Sequence, residues 1–304
     1  MTGFARLRFG LALTILAVAF SAWPTFAQDS DEDGDDGLPD YPHIEFAEGA
    51  KEGSVTDGAL TAKIVQERHG EDETPVLTVT ADGKKVFEAV GAVSGMGLVA
   101  ADALIAEIDP DNRGKEVYFS SYTGGAHCCS QIVIATETPS GWKAVDIGTF
   151  DGDGYYLRDV DGDGVAEIVT VDNRFLYAFD CYACSAAPLV IYSVKAGERI
   201  DATTEPRFQA EHRAWLKQIE DDVDPDNRWT SPGFLAGWVA AKARIGEGKE
   251  AFAELKQHWD LKEDEGEETC ISGPDIDACP KADLKVLKFP DRLAIFLEQN
   301  GYRL

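Results

Sequence analysis

The sequence predicts a mainly β chain with added α structure. Propeller-like β-repeat units, arranged as a partial propeller or as stacked twisted sheets, come first, and a helical C-terminal region follows. Three observations carry this. Short β-branched runs recur from about residue 60 to 202, punctuated by Gly, Asp and Pro. A segment around Glu107-Ile108-Asp109-Pro110-Asp111 and Glu116-Val117-Tyr118-Phe119 returns as Asp159-Val160-Asp161-Gly162-Asp163 and Glu167-Ile168-Val169-Thr170, at an offset of 52 at the aspartates and 51 at the glutamates. Beyond residue 206 apolar residues instead recur at helical spacing, as with Phe252, Leu255 and Trp259.

The elements follow in order. Leu60-Thr61-Ala62-Lys63-Ile64-Val65 and Val76-Leu77-Thr78-Val79-Thr80 read as strands, and Ala81-Asp82-Gly83-Lys84 as a hairpin turn. Val117-Tyr118-Phe119, Ile132-Val133-Ile134, Trp142-Lys143-Ala144-Val145, Ile168-Val169-Thr170-Val171 and Leu189-Val190-Ile191-Tyr192 continue the series. Helices are expected over 211–219, 232–245 with Pro232 at its start, 247–260 and 290–300, with a short strand over 284–287. A period near 50 with several short strands fits a propeller blade, but the units are too few for a usual closed ring.

The first 27 residues read as a signal peptide. Arg6 and Arg8 precede an apolar run over 9–22, and Pro24-Thr25-Phe26-Ala27 offers a small-residue cleavage site. The run is short for a membrane span, and no other stretch is long and apolar enough, so no span is expected after cleavage. The expected location is periplasmic or secreted. Residues 28–50 begin with a dense acidic run and read as a linker, 51–205 as the β-repeat domain, and 206–304 as the mainly helical region with a short disulfide loop. The formal charge of −27 argues against nucleic acid and anionic membrane as partners and suits cations.

The sharpest chemical signal is the loop 159–167. Acidic side chains stand at its first, third, fifth and ninth positions, glycines at 162 and 164 permit a tight turn, and a strand follows. A hard divalent cation takes about six to eight oxygens, and calcium tolerates flexible geometry. The expected ligands are the side chains of Asp159, Asp161, Asp163 and Glu167 and the carbonyl of Val165. Glu107, Asp109, Asp111 and Glu116 form a second, less complete candidate. Asp29, Asp31, Asp33 and Asp40 also have the spacing of a calcium loop within the acidic run. At the 159–167 loop the chain resembles the FG-GAP and VCBS repeat proteins, whose blades carry DxDGDGxx(D/E) before a hydrophobic strand. The segment Gly124-Gly125-Ala126-His127-Cys128-Cys129 is similar to one in uncharacterised exported bacterial proteins with such repeats. The resemblance implies a fold and a calcium ion, not an activity.

Six cysteines in an exported chain favour disulfides. Cys270 and Cys279 bracket a short loop and are expected to pair. Cys128, Cys129, Cys181 and Cys184 could pair across units or within Cys181-Tyr182-Ala183-Cys184, or, with His127, offer a soft-metal site. No GxSxG, HExxH or phosphate-cradling glycine loop is present. The expected role is a binding or scaffold module of the cell envelope or exterior, with calcium and an envelope glycan or protein as partners. The alternatives are an envelope-polymer hydrolase or a thiol–disulfide oxidoreductase using Cys181 and Cys184.

Overall fold

The structure is a computed structural model that describes residues 41–304 except 47–48, 96, 98, 126–127, 153, 155 and 274–275. The signal peptide, the acidic run with its Asp29–Asp40 loop, and His127 lie outside the described residues.

The chain is mainly β with four C-terminal helices among the described residues. Three antiparallel meanders follow one another. The first is β2 (Glu52–Asp57), β3 (Leu60–His69), β4 (Asp72–Ala81) and β5 (Lys84–Val90). The second is β6 (Ala101–Ala106), β7 (Glu116–Tyr122), β8 (Cys128–Thr138) and β9 (Gly141–Asp151). Its outer edge is completed by β1 (His43–Phe46), which pairs with β6 through His43–Leu104 to Phe46–Ala101. The third is β10 (Leu157–Arg158), β11 (Glu167–Val171), β12 (Leu189–Lys195) and β13 (Glu198–Asp201). A hairpin of β14 (Glu267–Cys270) and β15 (Leu284–Leu287) stands apart. The described residues contain no closed propeller.

The meanders stack face to face, and strand periodicity shows how. On β6, Ala103 and Ile105 face the first meander and share a core with Ile64, Leu77 and Val79. Leu104 and Ala106, one residue out of phase, join Ile134, Ile147 and Ile168 in the next core. β7 divides the same way, with Val117 and Phe119 on one side and Tyr118 on the other. Burial on both faces explains why β6 shows no polar alternation. Each fully buried side chain of this size contributes about 1.5–3 kcal/mol, so the middle meander is the best-anchored layer. Phe46 is 1% exposed, so the last residues of the segment assigned to the acidic linker are structural. The outer strand β13 is exposed along its length and carries Glu198, Arg199 and Asp201, charges that discourage edge pairing.

The helices are α1 (Gln209–Asp222), α2 (Pro232–Arg244), α3 (Gly248–His258) and α4 (Phe289–Gln299). Ser231 caps α2 by accepting from the Phe234 amide at 3.4 Å, and Pro232 occupies the first turn, where its missing N–H costs nothing. Gly233 through Ala241 are buried, so α2 is the central helix of its own core rather than an amphipathic surface helix. That core takes Phe175, Leu176, Phe179 and Ala187 from the β11–β12 connection. Among the described residues no helix is long and apolar enough to cross a membrane.

Candidate metal centre

In the second and third meanders the acidic loop joins the first strand to the second, and the cysteine cluster follows the second strand, opening the third strand in one unit and preceding it in the other. The repeat in the sequence is therefore a repeat in space.

The 159–167 loop folds on itself through its aspartates. Asp159 accepts from the Gly162 amide at 2.8 Å and the Gly164 amide at 2.9 Å. Asp161 accepts from the Asp163 amide at 3.3 Å, and Asp163 from the Val165 amide at 2.8 Å. Gly162 and Gly164 have φ of 77° and 89°, the left-handed region that side chains rarely adopt. One carboxylate oxygen each from Asp159, Asp161 and Glu167 lies within 4.8 Å of the others. Asp163 is not in this tight group, and its side chain is 49% exposed.

Glu167 begins β11 and its side chain is 1% exposed. Burial, reinforced by Asp161 and Asp163 and opposed by the Val160 amide and Arg207, pushes its carboxyl up to about 7. The site therefore concentrates oxygens around a carboxylate that water solvates poorly. A cation relieves that cost.

Arg207, which the sequence did not single out, supplies one. Its Nη1 donates to Asp161 at 2.8 Å and lies 3.2 Å from Glu167 Oε1 and 3.6 Å from Asp163 Oδ2. Nε bonds Glu205 at 2.8 Å, and the guanidinium rests 4.2 Å from the Phe208 ring. Arg207 belongs to a 3-10 turn (Pro206–Phe208) that links β13 to α1, so the contact ties the third meander to the start of the helical region. The donor set fits a hard cation: all of it is oxygen, its carboxylates already converge on a positive group, and the backbone turn is formed. Asp159, Asp161, Glu167 and, with a rotation, Asp163 are the side chains that would hold it.

The first loop has gone another way. Glu116 is fully buried and accepts from the Ile108 amide at 2.8 Å, the Asp109 amide at 2.9 Å, Asn112 Nδ2 at 2.6 Å and the Thr136 hydroxyl at 3.3 Å. Asp109 accepts from the amides of Asp111 at 3.1 Å, Ala196 at 3.0 Å and Gly197 at 2.6 Å. Protein donors fill the places a cation would serve, and Asn112 is the inward one. The Ile108-to-Glu116 bond matches a 3.2 Å bond from the Val160 amide to Glu167, so the two loops are built alike and differ in the side chains that meet their glutamates. Ala166 donates to the Glu107 carbonyl at 2.8 Å and joins the loops directly.

All six cysteines are paired. Cys270 bonds Cys279 as expected. Cys181 bonds Cys184 and Cys128 bonds Cys129, so each cluster closes on itself rather than across units. An oxygen of Asp180 lies within 4.8 Å of the Cys181 and Cys184 sulfurs, but joined sulfurs offer no thiolate ligands to a soft metal.

The sll0997 C-terminal domain family matches residues 210–301, the stretch of α1 to α4. The probable thylakoid lumen protein sll0997 of Synechocystis is 37% identical over 258 residues, covering 82% of this chain and 75% of that protein. The uncharacterized protein y4bJ of Sinorhizobium fredii is 30% identical over 249 residues, covering 81% of this chain and 39% of that protein. No solved structure matches. With that identity along three quarters of the cyanobacterial protein, the chain belongs to the sll0997 family.

Proposed function

We propose that this chain is an exported calcium-binding β-repeat protein, a binding or scaffold module of the cell envelope or exterior. The carrying observation is the convergence of Asp159, Asp161 and the buried Glu167 in a preformed turn at the entrance to β11. The three stacked meanders support propeller-like units of the FG-GAP and VCBS kind, arranged as a partial propeller or a stack of twisted sheets. The leader-like residues 1–27 and a relative named as a probable thylakoid lumen protein support export to the periplasm or beyond. An envelope glycan or protein is the proposed partner.

The ion's role in this account is structural. It competes with Arg207 for the carboxylates, stiffens the loop and holds β10 against β11. Affinity as weak as about 0.1–1 mM suffices outside the cell. Calcium titration of the mature protein by calorimetry tests it. One saturable site, lost in Asp159→Ala and retained in Asp109→Asn, supports the proposal. Absence of heat and of any competing spectroscopic signal up to millimolar calcium would remove it.

A further inference from the structure

Residues 172–188 connect β11 to β12 and touch both halves of the molecule. Toward the helices, Phe175 is fully buried and Phe179, Ala186 and Ala187 pack into the helical core. The connection is also the seat of α2. A Cβ on Gly233 would stand 2.6 Å from the Cys184 carbonyl oxygen, and one on Gly237 would stand 2.1 Å from that of Ala186. Ala186 donates to the Gly233 carbonyl at 3.3 Å, and Trp215 of α1 donates to that of Ala187 at 2.9 Å. Toward the sheets, the Tyr182 hydroxyl donates to the Asp151 carboxylate at the end of β9.

A disulfide closes this connection at its middle, between the exposed Cys181 and the half-buried Cys184. Just before it, Tyr177 has a φ of 63° and is 61% exposed, with its ring 5.5 Å from that of Tyr182. A bulky residue in the left-handed region is costly and persists only where its surroundings hold it. The covalent closure thus stands between a costly backbone position at Tyr177 and the residues 184–186 on which α2 rests.

We propose that Cys181–Cys184 is a thiol–disulfide exchange site for a dithiol reductant, and that its reduction loosens the seat of the helical region on the β sheets. A thiolate of the donor attacks Sγ of Cys181, the more exposed residue of the pair. The Cys181–Cys184 bond breaks, and Cys184 leaves as a thiolate that takes up a proton. The donor's second thiol then attacks the mixed disulfide, Cys181 is released and protonated, and the donor departs as a disulfide. Two electrons and two protons pass from the dithiol to this chain. The pair receives electrons and does not catalyse their transfer onward. Catalytic thiolates are built beside positive groups, whereas here the Asp180 carboxylate lies within 4.8 Å of both sulfurs. Cys270–Cys279 closes a loop between β14 and β15 and lies outside the 172–188 connection, which makes it an internal control.

The test is hydrogen–deuterium exchange on the intact mature protein under native conditions along a dithiothreitol series, with thiols counted by alkylation and mass spectrometry. Cys181 and Cys184 should become alkylated while the protein stays folded. Exchange over 174–188 and the first turns of α2 should then rise on the order of tenfold, with β3, β4 and β7 unchanged. Cys181→Ser/Cys184→Ser should show the loosened pattern without reductant. Cys128→Ser/Cys129→Ser and Cys270→Ser/Cys279→Ser should keep the tight one. A pair that opens only on global unfolding, or that opens with α2 exchange unaltered, would overturn the proposal. The reduction series decides this on the unmodified chain even if a variant does not fold. Its outcome is independent of calcium binding.

Discussion

The Nη1 of Arg207 stands 3.2 Å from Oε1 of Glu167, and 46 residues of chain separate Asp161 from the arginine that bonds it. In the preceding repeat unit the corresponding glutamate, Glu116, meets Asn112 and Thr136 instead. Neutral donors of its own unit meet the buried glutamate of the first loop, and a cationic group from beyond the third meander meets that of the second.

If Arg207 is the protein's own counter-charge, Arg207→Met should have opposite effects in two media. Without calcium it leaves the buried Glu167 with the Val160 amide but no positive group, and stability should fall by about 1–3 kcal/mol. With calcium present the competitor is gone, and the ion should bind more tightly than in the wild type. Denaturant unfolding with and without chelator, beside calorimetry, measures both. A loss of stability that calcium does not recover would separate Arg207 from the ion site.

The first loop should ignore calcium. Asn112→Ala removes the 2.6 Å donor to Glu116 and the 2.9 Å bond to Thr136, both partly buried. Stability should fall by about 1–3 kcal/mol, equally with and without chelator, because Glu116 loses one hydrogen bond to its charged form in either medium while its Ile108, Asp109 and Thr136 donors remain. Urea unfolding of the variant in the two media reads this directly.

Acid should weaken the join between the sheets and the C-terminus through Asp172. Burial alone would raise its carboxyl, but hydrogen bonds from Arg174 and Tyr302 outweigh burial and hold it below the ordinary value of 3.8. Arg174 Nε and the Tyr302 hydroxyl each donate at 2.7 Å, and Arg174 also reaches Asn300 at 2.9 Å. A carboxyl depressed in the folded state binds fewer protons there than when unfolded. Its contribution is complete above pH 3.8 and is lost as pH falls through the folded value. Asp172→Asn should therefore lower stability at neutral pH and flatten the acid limb below about pH 4 in a plot of unfolding free energy against pH.

Close approach at the α2 seat should be intolerant of any side chain. Gly237→Ala places a methyl 2.1 Å from the Ala186 carbonyl oxygen, a backbone atom that cannot rotate away. Better helix propensity would gain about 1 kcal/mol, and the clash should exceed it, for a net loss of about 1–3 kcal/mol. Thermal melting of the single variant measures the balance, and a stabilised variant would show that the helix can shift.

Local chemistry was legible in the sequence and long-range chemistry was not. Alternating residues announced β3 and β4, and the Asp-Gly pattern announced a turn that the structure forms through Asp159 and its two glycine amides. Helical spacing placed α1 to α4 within a few residues of their observed ends. β6 was missed because both its faces are buried and no alternation remains. β1 was missed because it follows a dense acidic run, although Phe46 reaches the core. Arg207 carries no local signal, since nothing near Glu205-Pro206-Arg207 records that a loop 46 residues upstream needs a positive charge. Nothing in the spacing of Glu107, Asp109, Asp111 and Glu116 marked Asn112, whose amide bonds both Glu116 and Thr136. The pairing of Cys181 with Cys184 depended on a 3-10 turn that brings their Cα atoms to 5.0 Å, which spacing alone left open.

The most direct test is thermal melting of the mature protein in calcium and in excess chelator, for the wild type and for Asp161→Ala/Asp163→Ala. The account predicts that chelator lowers the wild-type melting temperature by several degrees, on the order of 1–2 kcal/mol for a site near saturation, and leaves the variant unmoved. Equal melting of the wild type in both media would contradict it.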